Sequence, residues 1–330
     1  ITFHLLQETP LPEEPEGIQM KYYQPGKEPP YTYRRNRYHQ SPLIKNLAQD
    51  EAPVVFSGIR TAVYLDHVSL RSRRRIMRIH RVEKADYRAL LHSTGNLFRK
   101  LRYRNTMRLM RKFEKQAAKA DLMVCTSERD TKYYARLNSN AYFLPAFHAY
   151  TRPNFMPGLG RYALYFGDLS SNDNAQAVYF LLDKVFPRLR VPVIIAGRNP
   201  LPGIKTRAQR YKHVILRANP ESREMHDVIA NAQVAVLPTF RDTGLKMQFL
   251  IALYRSRHVL VNTPMIEHTG LESLCTVKNQ PVAMANTIHR LFKVPFDKTI
   301  KAKRRKLFLP HYYSPDKNIR FFLNLMKRTH

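Results

Sequence analysis

Three stretches in the second half of the sequence join glycine and hydroxyl or amide side chains to the end of an apolar run, and two of them add a cation. They are Gly167-Asp168-Leu169-Ser170-Ser171-Asn172-Asp173-Asn174, Ala196-Gly197-Arg198-Asn199-Pro200, and Leu237-Pro238-Thr239-Phe240-Arg241-Asp242-Thr243-Gly244-Leu245-Lys246. Glycine lets backbone approach a ligand, the free N–H groups of a following helix favour anions, and a guanidinium grips phosphate through paired hydrogen bonds. One such turn is common in any α/β protein. Three on one sheet edge describe a pocket for a nucleotide diphosphate, with Arg198, Lys246 and the helix starts at Asn174 and Gly244 supplying the positive field. His80 ends another apolar run, Arg75-Ile76-Met77-Arg78-Ile79-His80, where an imidazole meets a ligand, caps a strand or pairs with Glu83. The residues alone leave these open. His148 and His268 read as structural. Cys125 and Cys275 lack a nearby histidine with an orienting group, so neither reads as a nucleophile, and neither has a metal-ligand neighbour at the usual spacing.

The elements that must position these residues are legible as alternating patterns. In the second half, strand-like runs at 162–167, 191–197, 213–218, 233–238 and 258–262 alternate with helix-like runs at 174–186, 222–232 and 245–256. The first half repeats this less cleanly, with strands at 52–58, 75–80, 120–127 and 142–145 and helices at 96–119 and 128–138. Ser127 is placed to cap the second of these helices. Strands alternating with helices predict parallel sheets with right-handed crossovers and helices on both faces. The expected fold is α/β, two doubly wound Rossmann-like domains in tandem. The expected boundaries are 1–150 for the first domain, 151–160 for a Pro- and Gly-rich linker, 161–312 for the second domain, and 313–330 for a terminal helix crossing back. The first forty residues are Pro- and Tyr-rich and predict short extended pieces. The opening Ile1-Thr2-Phe3-His4-Leu5-Leu6 has neither an initiator Met nor a signal-peptide pattern. It reads as a strand from inside a domain whose first strand is absent.

The 330 residues carry 56 Lys+Arg against 25 Asp+Glu, a formal charge of +31, yet 44% are hydrophobic, which disfavours disorder. No run approaches the ~20 apolar residues of a membrane span. Two cysteines suit a reducing cytoplasm. The charge calls for an anionic partner. Residues 71–119 hold seventeen Lys/Arg and three acids. Within them, Leu97, Phe98, Leu101, Leu109, Met110, Phe113 and Ala117 recur at helical spacing as one apolar stripe. Arg99, Lys100, Arg102, Arg104, Arg108, Arg111 and Lys112 surround it. This pattern fits a basic helix lying on the inner, cytoplasmic face of an anionic membrane, where each cation is worth ~1 kcal/mol. It also fits a core-packed helix with a solvated cationic face. The absence of zinc-finger spacing and of RNP-type aromatics disfavours nucleic acid.

Several of these segments together resemble retaining GT-B glycosyltransferases of family 4, also called group 1. Tyr165-Phe166-Gly167 through Ala177 is similar to the opening strand–turn–helix of the donor domain in a subset of that family. Val193-Ile194-Ile195-Ala196-Gly197-Arg198-Asn199-Pro200 is similar to its second strand. Val234–Pro238, Thr243-Gly244 and the helix at 245–256 resemble the region around the donor sugar, and Asn262–Leu271 continues it. Arg78-Ile79-His80-Arg81-Val82-Glu83 is similar to a segment of the acceptor-side domain. The resemblance spans roughly residues 52 to 325. It implies a metal-independent hexosyltransferase that retains anomeric configuration and needs no cofactor beyond its nucleotide-sugar substrate. It also implies a saccharide or polyprenyl-linked acceptor and a bacterial role in polysaccharide biosynthesis. His80 then faces the transferred sugar, and Gly167, Asn174, Arg198, Thr239, Thr243, Gly244, Lys246 and Gln248 hold the donor. The family's glutamate pair is not kept: Ile251 occupies the second position, Asp242 lies near the first, and Gln248 stands where relatives carry Lys. Asp168 and Asn174 replace an Arg and Lys near the diphosphate. A catalytically silent GT-B scaffold in polysaccharide assembly is the alternative these departures raise.

Overall fold

The computed structural model describes residues 2–6, 19–23, 41–145, 147, 154–240, 245–267, 269–308 and 314–327. The chain divides into two units, residues 1–144 with 324–330, and residues 145–323.

In the first unit β1 (Thr2–Leu6) and β2 (Gln19–Tyr23) pair in parallel as a two-stranded sheet of their own. The main sheet is parallel and runs in chain order: β3 (Val54–Ser57), β4 (Arg75–Ile79), β5 (Leu122–Cys125) and β6 (Ala141–Phe143). All four residues of β5 are buried, as a strand covered on both faces requires. Helix α1 (Ser41–Leu47) precedes β3, and the crossovers carry α2 (Glu83–Ser93), α3 (Leu97–Ala117) and α4 (Glu128–Tyr134). Ser127 caps α4 as expected, its hydroxyl accepting from the Asp130 N–H at 3.1 Å. Met77, Ile79, Phe113, Met123 and Tyr134 form part of one core.

The single apolar stripe expected along α3 divides in two. Leu109, Met110, Phe113 and Ala117 are buried, whereas Leu97, Phe98 and Leu101 stand 78%, 87% and 58% exposed. A stripe read by spacing of three and four assumes one partner along the whole helix, and the core here covers only its C-terminal half.

The second unit holds a six-stranded parallel sheet: β7 (Ala163–Asp168), β8 (Val193–Arg198), β9 (Val214–Ala218), β10 (Val234–Leu237), β11 (His258–Val261) and β12 (Thr276–Val277). Its order is β12-β11-β10-β7-β8-β9, so the winding reverses between β7 and β10. That is the topological switch point of a doubly wound sheet. The helices are α5 (Asn172–Phe180), α6 (Pro202–Ala208), α7 (Ser222–Asn231), α8 (Met247–Arg255), α9 (Thr263–Ile266), α10 (Pro281–Leu291) and α11 (Lys298–Phe308), while α12 (Pro315–Lys327) begins in this unit and belongs to the first from Asn324 onward. The long helix expected at 174–186 ends early as an α-helix. It passes into a π turn at Leu181–Val185 and a tighter turn at Phe186–Arg188, where Pro187 supplies no N–H.

Gln233 ties this unit together. Fully buried at the foot of β10, it donates to the carbonyls of Leu291 (2.6 Å) and Val294 (2.8 Å) and accepts from the Gly160 N–H. Gln233→Leu strands all three backbone groups. Chemical denaturation should show a loss of about 2–4 kcal/mol, because each stranded group costs ~1–3 kcal/mol and partial relaxation recovers some of it.

Candidate functional site

The C-terminal ends of β7, β8 and β10 carry the residues singled out in the sequence. At the end of β7, Gly167 is pressed between two amides: a Cβ there would stand 2.7 Å from Gln248 Oε1 and 3.1 Å from Asn174 Nδ2. Only glycine lets α5 and α8 bring both side chains over the strand end. Asn174 spends its amide on the Asp168 carbonyl, donating at 2.9 Å. Gln248 is half-buried, with its Nε2 enclosed and the Tyr165 hydroxyl beside it. Asp168 accepts from the Ser170 hydroxyl (2.7 Å) and N–H (3.1 Å). These bonds lower its carboxyl pKa, with Arg198 adding to the effect. Ser171 occupies the cap position of α5 but makes no side-chain cap bond.

On β8, Arg198 lies in register with Asp168 and is exposed. The turn after it is held open by Asn219, whose side chain accepts from the Asn199 N–H at 2.7 Å while its own N–H reaches the Gly197 carbonyl at 2.9 Å. Thr239, buried at the end of β10, is locked to the end of β11. Its N–H donates to Asn262 Oδ1 at 2.9 Å, and Asn262 Nδ2 returns a bond to its carbonyl at 2.6 Å. Lys246 precedes α8 and pairs with Asp173 at 3.7 Å, both side chains being largely buried. Ile251 sits half-buried on α8. Thr243, Gly244 and Asp242, like His148 and His268, lie outside the described residues.

The first unit gathers a polar cluster at the ends of three adjacent strands. Ser57 Oγ and His80 Nε2 share a hydrogen bond of 2.8 Å, and the Thr126 hydroxyl donates to the His80 carbonyl at 2.8 Å. Glu83 pairs instead with Arg60 at 3.2 Å, and Arg81 with Asp86 at 3.2 Å. Partial desolvation lowers the His80 pKa, helped by Arg78 and Arg81 and opposed by Glu83, so the ring is neutral at pH 7. Ser57 is the partner that sequence reasoning missed. Its signal was a hydroxyl ending the strand beside that of His80. Burial pushes the thiols of Cys125 and Cys275 up to about 12, which keeps both protonated. Among the described residues no group of three or more His, Cys, Asp or Glu is placed to hold a metal ion, and no helix is long and apolar enough to cross a membrane. On α3, Arg99, Arg102, Arg104, Arg108, Arg111 and Lys112 are exposed and Lys100 is half-buried.

Two outcomes follow from this geometry. Gly167→Ala should destabilise the protein by about 1–3 kcal/mol in chemical denaturation, because both neighbouring amides must move. A histidine whose folded pKa is depressed adds stability that is present above its unfolded pKa, ~6.5, and is lost as pH falls through the folded value. His80→Gln should therefore flatten part of the acid-side fall in unfolding free energy below about pH 6.5, and an unchanged slope would contradict the shift.

Residues 160–293 match the family model described as Glycosyl transferases group 1. No curated protein matches the sequence. Among solved structures, that of TarM is similar at a TM-score of 0.60 and 12% identity; the match covers 83% of this chain and 54% of that one. A S. aureus TarM variant in complex with Fondaparinux, alpha-GlcNAc-glycerol and UDP gives 0.58 and 12%, covering 83% and 55%. An alpha,alpha-trehalose-phosphate synthase (UDP-forming) from Burkholderia xenovorans, in complex with glucose-6-phosphate, gives 0.59 and 10%, covering 86% and 76%. The chain thus spans about half the length of the TarM structures. Two parallel sheets of four and six strands give it a GT-B-like fold, and residues 160–293 within its six-stranded unit carry the match to the glycosyl transferases of group 1.

Proposed function

We propose that the protein is a retaining glycosyltransferase. It moves a hexose from a nucleotide-diphosphate sugar, bound by the second unit, to a saccharide or lipid-linked acceptor bound by the first. The observation that carries this is the convergence of Gly167, Arg198, Thr239 and Gln248 on the strand ends at and beside the β7–β10 switch point, inside the segment that matches the group 1 family. Transfer breaks the bond between the anomeric carbon and the diphosphate oxygen and forms one from that carbon to an acceptor hydroxyl oxygen, whose proton leaves with the diphosphate as negative charge grows there. Arg198, Lys246 and the start of α5 supply fixed positive charge there, which makes a metal ion unnecessary. His80, neutral and held by Ser57, is suited to hydrogen-bond a sugar hydroxyl.

A second reading, a catalytically silent scaffold, draws support from the Lys246–Asp173 pair and from Ile251 in place of a carboxylate. Thermal unfolding against UDP, GDP and their sugars separates the two. A ligand at a hundred times its Kd stabilises by ~2.7 kcal/mol, a shift of a few degrees. The transferase reading expects such a shift, its loss in Arg198→Ala, and tighter nucleotide binding in Asp173→Asn, which removes the negative charge beside Lys246. No shift across the panel, with no donor hydrolysis or transfer, leaves the scaffold.

A further inference from the structure

Helix α3 presents two faces that the apolar spacing had merged. At 100° per residue, Leu97, Leu101 and Phe98 lie at about 0°, 40° and 100° around the axis, while the buried Thr106, Leu109, Met110, Phe113 and Ala117 fall between about 120° and 220°. The apolar start of the helix therefore points about a third of a turn away from the face that packs in the core. Continuing along the outward face, Lys100, Arg104, Arg108, Arg111 and Lys112 fall between about −60° and +60°, directly behind the apolar residues. No acid occurs from Tyr87 to Phe113, while eight Lys/Arg do.

The axial order matters as much as the angle. Leu97 to Leu101 spans about 6 Å of helix, and the basic residues from Arg104 to Lys112 follow over the next ~16 Å. The first turn is well built: the Asn96 side chain accepts from the Arg99 N–H at 3.1 Å, so the apolar residues project from a capped helix. An apolar end ~6 Å deep, followed by cations, matches an anionic bilayer, in which apolar groups sink about 5–10 Å and headgroups lie above them. A nucleic acid would satisfy the cations but leave Leu97 and Phe98 in water. A second copy of this chain would bring its own cations against these.

We infer that the N-terminal end of α3 is a membrane-insertion tip: Leu97, Phe98 and Leu101 enter the acyl boundary of an anionic leaflet while Arg104, Arg108, Arg111 and Lys112 engage its headgroups. This stands on α3 alone and is independent of the donor chemistry. The chain contains no Trp, so Phe98→Trp in the full-length protein is a single reporter. With phosphatidylglycerol-containing vesicles its emission should move to shorter wavelength and be quenched by acyl-chain bromine. The triple variant Leu97→Ser, Phe98→Ser and Leu101→Ser should lower vesicle partitioning at least about tenfold. Its unfolding midpoint should stay unchanged, because none of the three is buried. Arg104→Glu with Arg108→Glu should weaken binding to anionic vesicles specifically. An unshifted, unquenched tryptophan would overturn the proposal. So would wild-type vesicle binding by the triple variant, or a tip whose loss abolishes RNA binding or self-association while vesicles are ignored. UDP-induced thermal shifts, measured on the same variants, report separately on the donor site.

Discussion

In both main sheets every strand runs parallel to its neighbours, and that single constraint organises the rest of the molecule. A parallel ladder cannot be closed by a hairpin, so each strand must be followed by a crossover that covers a face. Strands buried on both faces then have no room for polar side chains except at their ends. The carboxyl ends of each sheet fall on one edge, and polar residues collect there: Ser57, His80 and Thr126 on the first sheet; Gly167, Arg198, Thr239 and Asn262 on the second. Among the described strands the six-stranded sheet alone reverses its winding, between β7 and β10.

The electrostatics of that crevice are built from neutral groups and one ion pair. Asn174 and Gln248 crowd Gly167 where family resemblance would place cations, and Lys246 is held against Asp173. Amides fix geometry without charge, because an N–H donor gains little until an oxygen arrives in register with it. Arg198 stands outside this arrangement, exposed beside Asp168, and its guanidinium is the most accessible of the fixed cations at these strand ends. A donor would therefore be positioned by hydrogen bonds first and neutralised second.

Much of the chain's excess charge lies in one segment of the first unit. Between residues 71 and 119 the seventeen Lys/Arg outnumber acids by fourteen, close to half of the total excess. Some of these cations are structural. Arg75 makes paired contacts with Asp121, the nearest at 2.7 Å, and Arg73 donates to the carbonyls of Leu47 and Ala52. The exposed remainder lies largely on α3, a helix whose far end is packed in the core and whose near end carries bare leucine and phenylalanine.

Much of this was legible in the sequence by itself. Apolar runs ending at Gly167, Gly197 and Pro238-Thr239 marked β7, β8 and β10, since a strand covered on both faces reads as continuous hydrophobicity. Ser127 announced α4, because a cap is a local hydrogen bond. Other elements were left unassigned: α6 and α10 open with Pro202-Gly203 and with Pro281, residue types common in turns, although proline is tolerated where a helix has no N–H partner to lose. The tertiary structure alone decided the partners. It set Ser57 against His80, Asp173 against Lys246 and Gln248 over Gly167, pairs from distant positions that no spacing rule connects. It also decided that the apolar positions of α3 belong to two faces, because periodicity records that a residue is apolar, while burial depends on whether anything packs against it.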